Sequence, residues 1–172
     1  LFFAPLTLPE NAQATTVLRD VSPPIYRYGL GRWGIVAGTS PFATRFPSVA
    51  AGVLAVALTW AIGRRLLGPR AALAGAFLMA VAPMQVYYSQ EAKGYPLEQA
   101  ALLAATWLWL WLGSPRGAEA GRAQRIAGWI GYAAALTTAL GTHYTAAFLA
   151  ATHGLWALAA ALRTGTPRPA AR

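Results

Sequence analysis

Tyr87-Tyr88-Ser89-Gln90-Glu91-Ala92-Lys93-Gly94-Tyr95 is a dense polar run set between two long apolar ones. Residues 71–86 before it carry no charge, and residues 97–113 after it carry only Glu98, near their start. About 20 apolar residues in helical form cross the hydrocarbon core of a bilayer, so flanks of this length read as membrane spans. The polar run then sits where a membrane protein meets water. Ionisable groups are costly to hold near hydrocarbon, which marks them as candidates for a site. A carboxylate, an ammonium and three phenols at that depth suit a phosphorylated lipid at the bilayer surface.

The whole chain has the composition to match. Hydrophobic residues make up 56% of 172 positions and charged residues 11%, against about 25% charged in soluble proteins. Seven tryptophans and seven tyrosines suit two water–lipid interfaces, where amphipathic rings settle. There is no cysteine, which excludes a disulfide framework and a thiolate metal site. The net charge of +9 does not imply nucleic acid, because the basic residues are dispersed between apolar segments rather than gathered in one stripe. The chain opens on Leu1 with no charged leader, and we expect it to be part of a longer protein.

Residues 46–62, 71–88, 97–112 and 126–162 are the candidate spans. The last is too long for one crossing of about 20 residues, and Gly141-Thr142-His143-Tyr144 is its natural break. The expected fold class is therefore all-α, a multi-pass transmembrane bundle of about five spans. Small residues within the segments suit close helix packing. Alternation places Arg64, Arg65, Arg70, Arg116, Arg122, Arg125, Arg163, Arg168 and Arg172 on one side, nine of the fourteen basic residues. By the positive-inside rule that side is cytoplasmic. Arg19, Arg27, Arg32, Arg45 and Lys93 lie opposite, with Glu10, Asp20, Glu91 and Glu98. The outer face is where chemistry is expected, and the plasma (inner) membrane is the expected location.

We read the chain as a single membrane domain, with 11–40 an outer loop and 46–162 the membrane helices. Within the loop, Asp20-Val21-Ser22-Pro23-Pro24 is expected to be extended, since residues before proline avoid helical geometry. Residues 25–36 carry Arg27 and Arg32 among apolar residues and are expected to lie flat on the outer interface as a short helix.

Among the polar residues, Gly94 and Pro96 oppose a helix through the run, and Pro96 fits the first helical position of the next span. If residues 91–95 are extended, Glu91, Lys93 and Tyr95 project to one side, because strands have a two-residue period. Lysine can hold a departing phosphate by charge-assisted hydrogen bonds, and a carboxylate can act as a base or ligate a metal. The same residues also fit a solvated loop that keeps the chain out of the bilayer. His143 and Tyr144 fall on the same side; a histidine there suits a metal, a phosphate oxygen or simply a helix-end hydrogen bond. His153 sits mid-span and reads as packing or an interhelical hydrogen bond. Arg45 either snorkels to headgroups or points into a cavity. Trp107, Trp109 and Trp111 read as an anchoring belt at the inner interface.

Several stretches together resemble the bacterial membrane glycosyltransferases related to the protein O-mannosyltransferases, the C-type superfamily. Asp20-Val21-Ser22-Pro23-Pro24-Ile25-Tyr26 is similar to their "D-x-H-P-P-L-Y", with Ser22 in place of histidine. Ser40-Pro41-Phe42-Ala43-Thr44-Arg45-Phe46-Pro47-Ser48 resembles "S-E-F-A-L-R-L-P-S", and Gly63-Arg64-Arg65-Leu66-Leu67-Gly68 resembles "G-R-R-L-F-G". From Pro83 to Tyr95 the chain follows "S-P-x-x-x-Y-Y-S-Q-E-A-R-x-Y" after its first serine, with Lys93 for arginine, and Thr142-His143-Tyr144 matches the later "T-H-Y". Lysine keeps the charge of that arginine but not its bidentate fork.

The resemblance implies an enzyme that moves a sugar from a polyprenyl-phosphate donor to a lipid, glycan or protein hydroxyl on the outer face. It implies Glu91 and Asp20 as catalytic acids, and Lys93, Tyr95, His143, Tyr144 and Arg45 as substrate-binding residues. The cofactor is left open, with a divalent metal ion as the candidate and its ligands unassigned, and membrane lipids are expected partners. The family's main catalytic acid falls upstream of Leu1, so this piece alone is expected to be inactive. The alternative is a non-enzymatic transporter or flippase component. Such carriers favour helices broken at the bilayer midplane, whereas the polar clusters here fall at span ends.

Overall fold

A computed structural model describes residues 23–164, and within them the chain is all-helical. The helices are α1 (Ile25–Ala37), α2 (Pro41–Leu66), α3 (Pro69–Val81), α4 (Pro83–Ser89), α5 (Tyr95–Leu112), α6 (Pro115–Glu119), α7 (Arg122–Leu140) and α8 (Ala146–Thr164). Sequence punctuation explains the boundaries. Helices α2 to α6 each carry a proline in the first turn, where its missing N–H has no intrahelical acceptor to lose. Ser40 caps α2, its hydroxyl accepting the Ala43 amide at 3.2 Å. Gly68 turns the chain into α3 at φ +87°, a conformation that favours glycine.

Helices α2, α3, α5 and α7 form the body, with α5 packed between α2 and α7. Small side chains fill the interior: Ala51, Ala55 and Ala100 meet in one cluster, and Ala101, Ala139 and Ala146 in another. Gly63 lies so close to Ala72 that an added Cβ would fall 3.0 Å from the Ala72 Cα. Large apolar residues such as Val53, Leu73, Phe77, Leu78, Ile130 and Phe148 stay exposed. Small inside and large outside suits packing in lipid, where burying leucine brings no hydrophobic gain.

Among the described residues, helix α2 alone is long and apolar enough to cross a membrane, with a mean hydropathy of 1.8. Helices α3 and α4 together meet the same standard but are bent by 57°. The span expected over residues 71–88 is thus interrupted, with the geometry of a broken span or a re-entrant loop. Pro83 pushes Ala82 out of helical geometry, to ψ 126°. The Ala146–Leu162 stretch is apolar but shorter. The expected break at residues 141–144 is present, between α7 and α8.

At the helix faces, Trp109, expected in an anchoring belt, stacks on His153 at 5.0 Å and packs on Trp129 and Tyr132. His153 is buried and its Nδ1 lies 3.1 Å from the Tyr132 hydroxyl, the interhelical bond expected of it. At the other end, Trp33 joins α1 to α2. Pro47 has no N–H and leaves the Ala43 carbonyl without its usual helical donor. The Trp33 indole N–H takes that carbonyl at 2.8 Å, and its ring stacks on Phe46. Trp33→Phe is expected to keep the ring but orphan the carbonyl, lowering stability by about 1–3 kcal/mol. A melting temperature in detergent equal to the wild type would show that water serves the carbonyl instead.

Candidate functional site

The α4–α5 turn is a tight bend rather than an extended segment. The Glu91 amide still bonds to the Tyr88 carbonyl at 3.3 Å, continuing the last turn of α4. Gly94 already has helical dihedrals, and its carbonyl accepts the Glu98 amide at 2.9 Å. With helical hydrogen bonds reaching in from both sides, too few residues are left for strand alternation. Glu91, Lys93 and Tyr95 therefore do not share a face by the expected two-residue period.

Three other segments close on this turn. The Tyr26 hydroxyl lies 2.7 Å from Ser48 Oγ, and Ser48 donates to the Lys93 carbonyl at 3.0 Å. Because Ser48 spends its proton on Lys93, Tyr26 must be the donor to Ser48. Burial pushes the Tyr26 phenol above its ordinary range, and the Ser48 hydrogen bond offsets part of that rise. The α7–α8 turn is tied in by the Ile25 amide, which donates to the Gly141 carbonyl at 2.9 Å. Thr142 is buried and donates to the Thr138 carbonyl at 2.7 Å. So α1, the start of α2, the α4–α5 turn and the α7–α8 turn meet at one end of the bundle. The arginines at the α2–α3 and α6–α7 connections lie at the other.

Beside this junction a cavity of about 610 Å³ opens at the α3–α4 bend and runs along α5. Met79, Ala82, Met84 and Leu102 make its apolar wall; Gln85, Tyr88, Tyr95, Glu98, Gln99 and Thr145 supply polar atoms. Two of its lining rings, Tyr88 and Tyr95, have centroids 4.7 Å apart, and Tyr95 lies 5.8 Å from the His143 ring, which is beside the cavity and not in its lining. Glu98 is 8% exposed and its Oε1 accepts the Thr145 hydroxyl at 2.5 Å. Thr145 Oγ1 lies 2.9 Å from His143 Nδ1, and that nitrogen is 3.9 Å from the Glu98 carboxylate.

The sequence-derived candidates divide accordingly. Tyr95 and His143 meet, and Tyr95 lines the cavity. Glu91 is half-buried and Lys93 exposed in the adjoining turn; neither lines the cavity, and neither pairs with a described charge. Tyr144 is exposed. Arg45 lines a second cavity, about 370 Å³, with Phe42, Phe46 and Gln90. Asp20 lies outside the described residues. Glu98 and Thr145 were not among the candidates. The signal for Glu98 was present as the single charge in a long apolar run, whereas nothing distinguishes Thr145 until the helices pack. Among the described residues no three His, Asp or Glu side chains converge as a metal centre needs. The nearest pair, His143 and Glu98, is already engaged with Thr145.

An all-helical bundle with small side chains inside and large apolar ones outside is the build of a membrane protein. More specifically, the chain belongs to the dolichyl-phosphate-mannose-protein mannosyltransferase family, whose model matches residues 21–169. The family consists of membrane-embedded glycosyltransferases that draw on polyprenyl-phosphate-linked sugars. No curated protein and no solved structure matches the chain significantly.

Proposed function

We propose that this chain is part of a multi-pass enzyme of the plasma (inner) membrane that transfers a sugar from a polyprenyl-phosphate donor to a lipid, glycan or protein hydroxyl on the outer face. The observation that carries the reading is the cavity at the junction end. Its apolar wall suits a prenyl chain, while its phenols, amides and Glu98 suit a sugar. Transfer breaks the bond from the anomeric carbon to the phosphate oxygen and forms one to the acceptor oxygen. The phosphate leaves with the lipid, and the acceptor proton must be taken up by a base. Lys93, with Arg45 at the neighbouring cavity, would hold the developing negative charge on the phosphate. Glu91, Glu98 and Asp20 are the acids available to orient the donor or receive the proton. His143 would contact the sugar-phosphate, and Tyr95 would stack against the sugar. A divalent ion at the phosphate would draw on one of these acids together with the phosphate oxygens.

The test is sugar transfer by the intact protein in liposomes that contain a labelled polyprenyl-phosphate sugar. Labelled acceptor product is expected. Donor crossing the bilayer with no product would instead support the carrier reading, for which the broken α3–α4 helix is the favouring observation. Topology is checked separately. A cysteine at Gln90 is expected to react with an impermeant reagent only from outside, and one at Gly121 only from the cytoplasm. Reaction of both from one side would overturn the arrangement of spans.

A further inference from the structure

The Glu98–Thr145–His143 chain joins a buried acid near the start of α5 to the turn before α8. Thr145 Oγ1 has one proton and two close neighbours, Glu98 Oε1 and His143 Nδ1. The hydroxyl donates to the carboxylate and lies within hydrogen-bond distance of Nδ1. The Thr145 amide donates to the same Nδ1 at 3.3 Å. Two contacts from Thr145 therefore hold the Nδ1 edge, and Nε2 is left as the outward edge in either tautomer. Nε2 bonds to no described residue, and the His143 side chain is 33% exposed. Tyr95 packs against the ring, tilted by 45°. An acid placed in an apolar helix bundle is expensive to keep, and tying one imidazole edge to the protein is a use that the geometry supports.

We propose that Glu98 and Thr145 are positioning residues that hold His143 by Nδ1 and present its Nε2 to the sugar-phosphate substrate. The inference rests on the transferase reading above and deepens it, because it assigns the buried pair a role that acts through His143. A misplacement on the order of 1 Å in a group that touches substrate can cost about 100-fold in rate. The loss should fall on kcat more than on KM, since alignment matters most in the transition state.

The experiment is a double-mutant cycle on the intact enzyme in liposomes, with detergent melting temperatures recorded for every variant. Thr145→Val and Glu98→Gln are each expected to lower kcat by about 10–100-fold. Thr145→Ser should recover most of it, because the hydroxyl alone makes the bridge. In a His143→Ala background, Thr145→Val should add no more than about twofold, since coupled residues are not additive. Full additivity in that background, or wild-type kcat for Thr145→Val, overturns the positioning role. Wild-type kcat for His143→Ala also overturns it while leaving a working transferase. Absence of transfer by the unaltered protein overturns the transferase reading itself. Should Glu98→Gln fail to fold, the Thr145 series decides the matter alone.

Discussion

Gly94→Val is expected to open the junction end of the bundle and abolish sugar transfer with it. An added Cβ at Gly94 would lie 2.7 Å from Thr142 Cγ2 and 3.3 Å from Tyr26 Cβ. Neither neighbour can yield freely: Thr142 is held by its bond to the Thr138 carbonyl, and Tyr26 by Ser48. Alanine at this position already overfills the contact, at a cost of about 1–3 kcal/mol. Valine adds two methyl groups and should exceed that range, on the order of the 5 kcal/mol that marks the severest single substitutions. Displacing the turn also draws the Lys93 carbonyl away from Ser48 and Tyr95 away from His143. Melting temperatures in detergent for the series glycine, alanine, valine test this directly. A Gly94→Val protein that melts with the wild type and transfers sugar would show that the four segments do not interlock.

The contrast between this junction and the rest of the fold shows what a linear reading can reach. The helices follow from apolar runs ended by prolines and glycines, which act within a few residues of their own position. Pro47 and Pro83 illustrate the limit. Each was visible as a proline in an apolar run, but one leaves a carbonyl that Trp33 fills and the other breaks a span at Ala82. The difference lies in what packs nearby. The site divides the same way. Tyr95 and His143 carried a recognisable pattern and do meet. Thr145 gains meaning only because α5 and the α7–α8 turn bring it to Glu98, 47 residues away in the chain. Pro96 opens the next helix, as its place before an apolar run suggested. The extended reading of residues 91–95 failed because helical hydrogen bonds reach into the turn from both sides and Gly94 is already the cap of α5.

Lys93 offers the largest effect on chemistry without disturbing that junction. Its backbone carbonyl accepts the Ser48 hydroxyl, a contact that any side chain at the position keeps. Its own side chain is exposed and pairs with no described carboxylate. Removing the ammonium should therefore leave the fold intact and report the charge alone. If Lys93 stabilises the departing phosphate, Lys93→Ala loses a charged hydrogen bond at the transition state, worth roughly 2.7–4 kcal/mol or about 10²–10³ in kcat. Lys93→Arg keeps the charge and gains a bidentate fork for phosphate, so most activity should survive. Glu91→Gln, nearly isosteric, should be comparably damaging if the carboxylate's charge orients the donor. Rates are measured as sugar transfer by the intact enzyme in liposomes at low ionic strength and again at high salt. An exposed cation is screened by added ions, so the gap between wild type and Lys93→Ala should narrow as salt rises unless bound substrate shields the site. Wild-type rates for both Lys93→Ala and Glu91→Gln would leave the turn as a solvated loop and move the phosphate site to Arg45 and the cavity behind Tyr95.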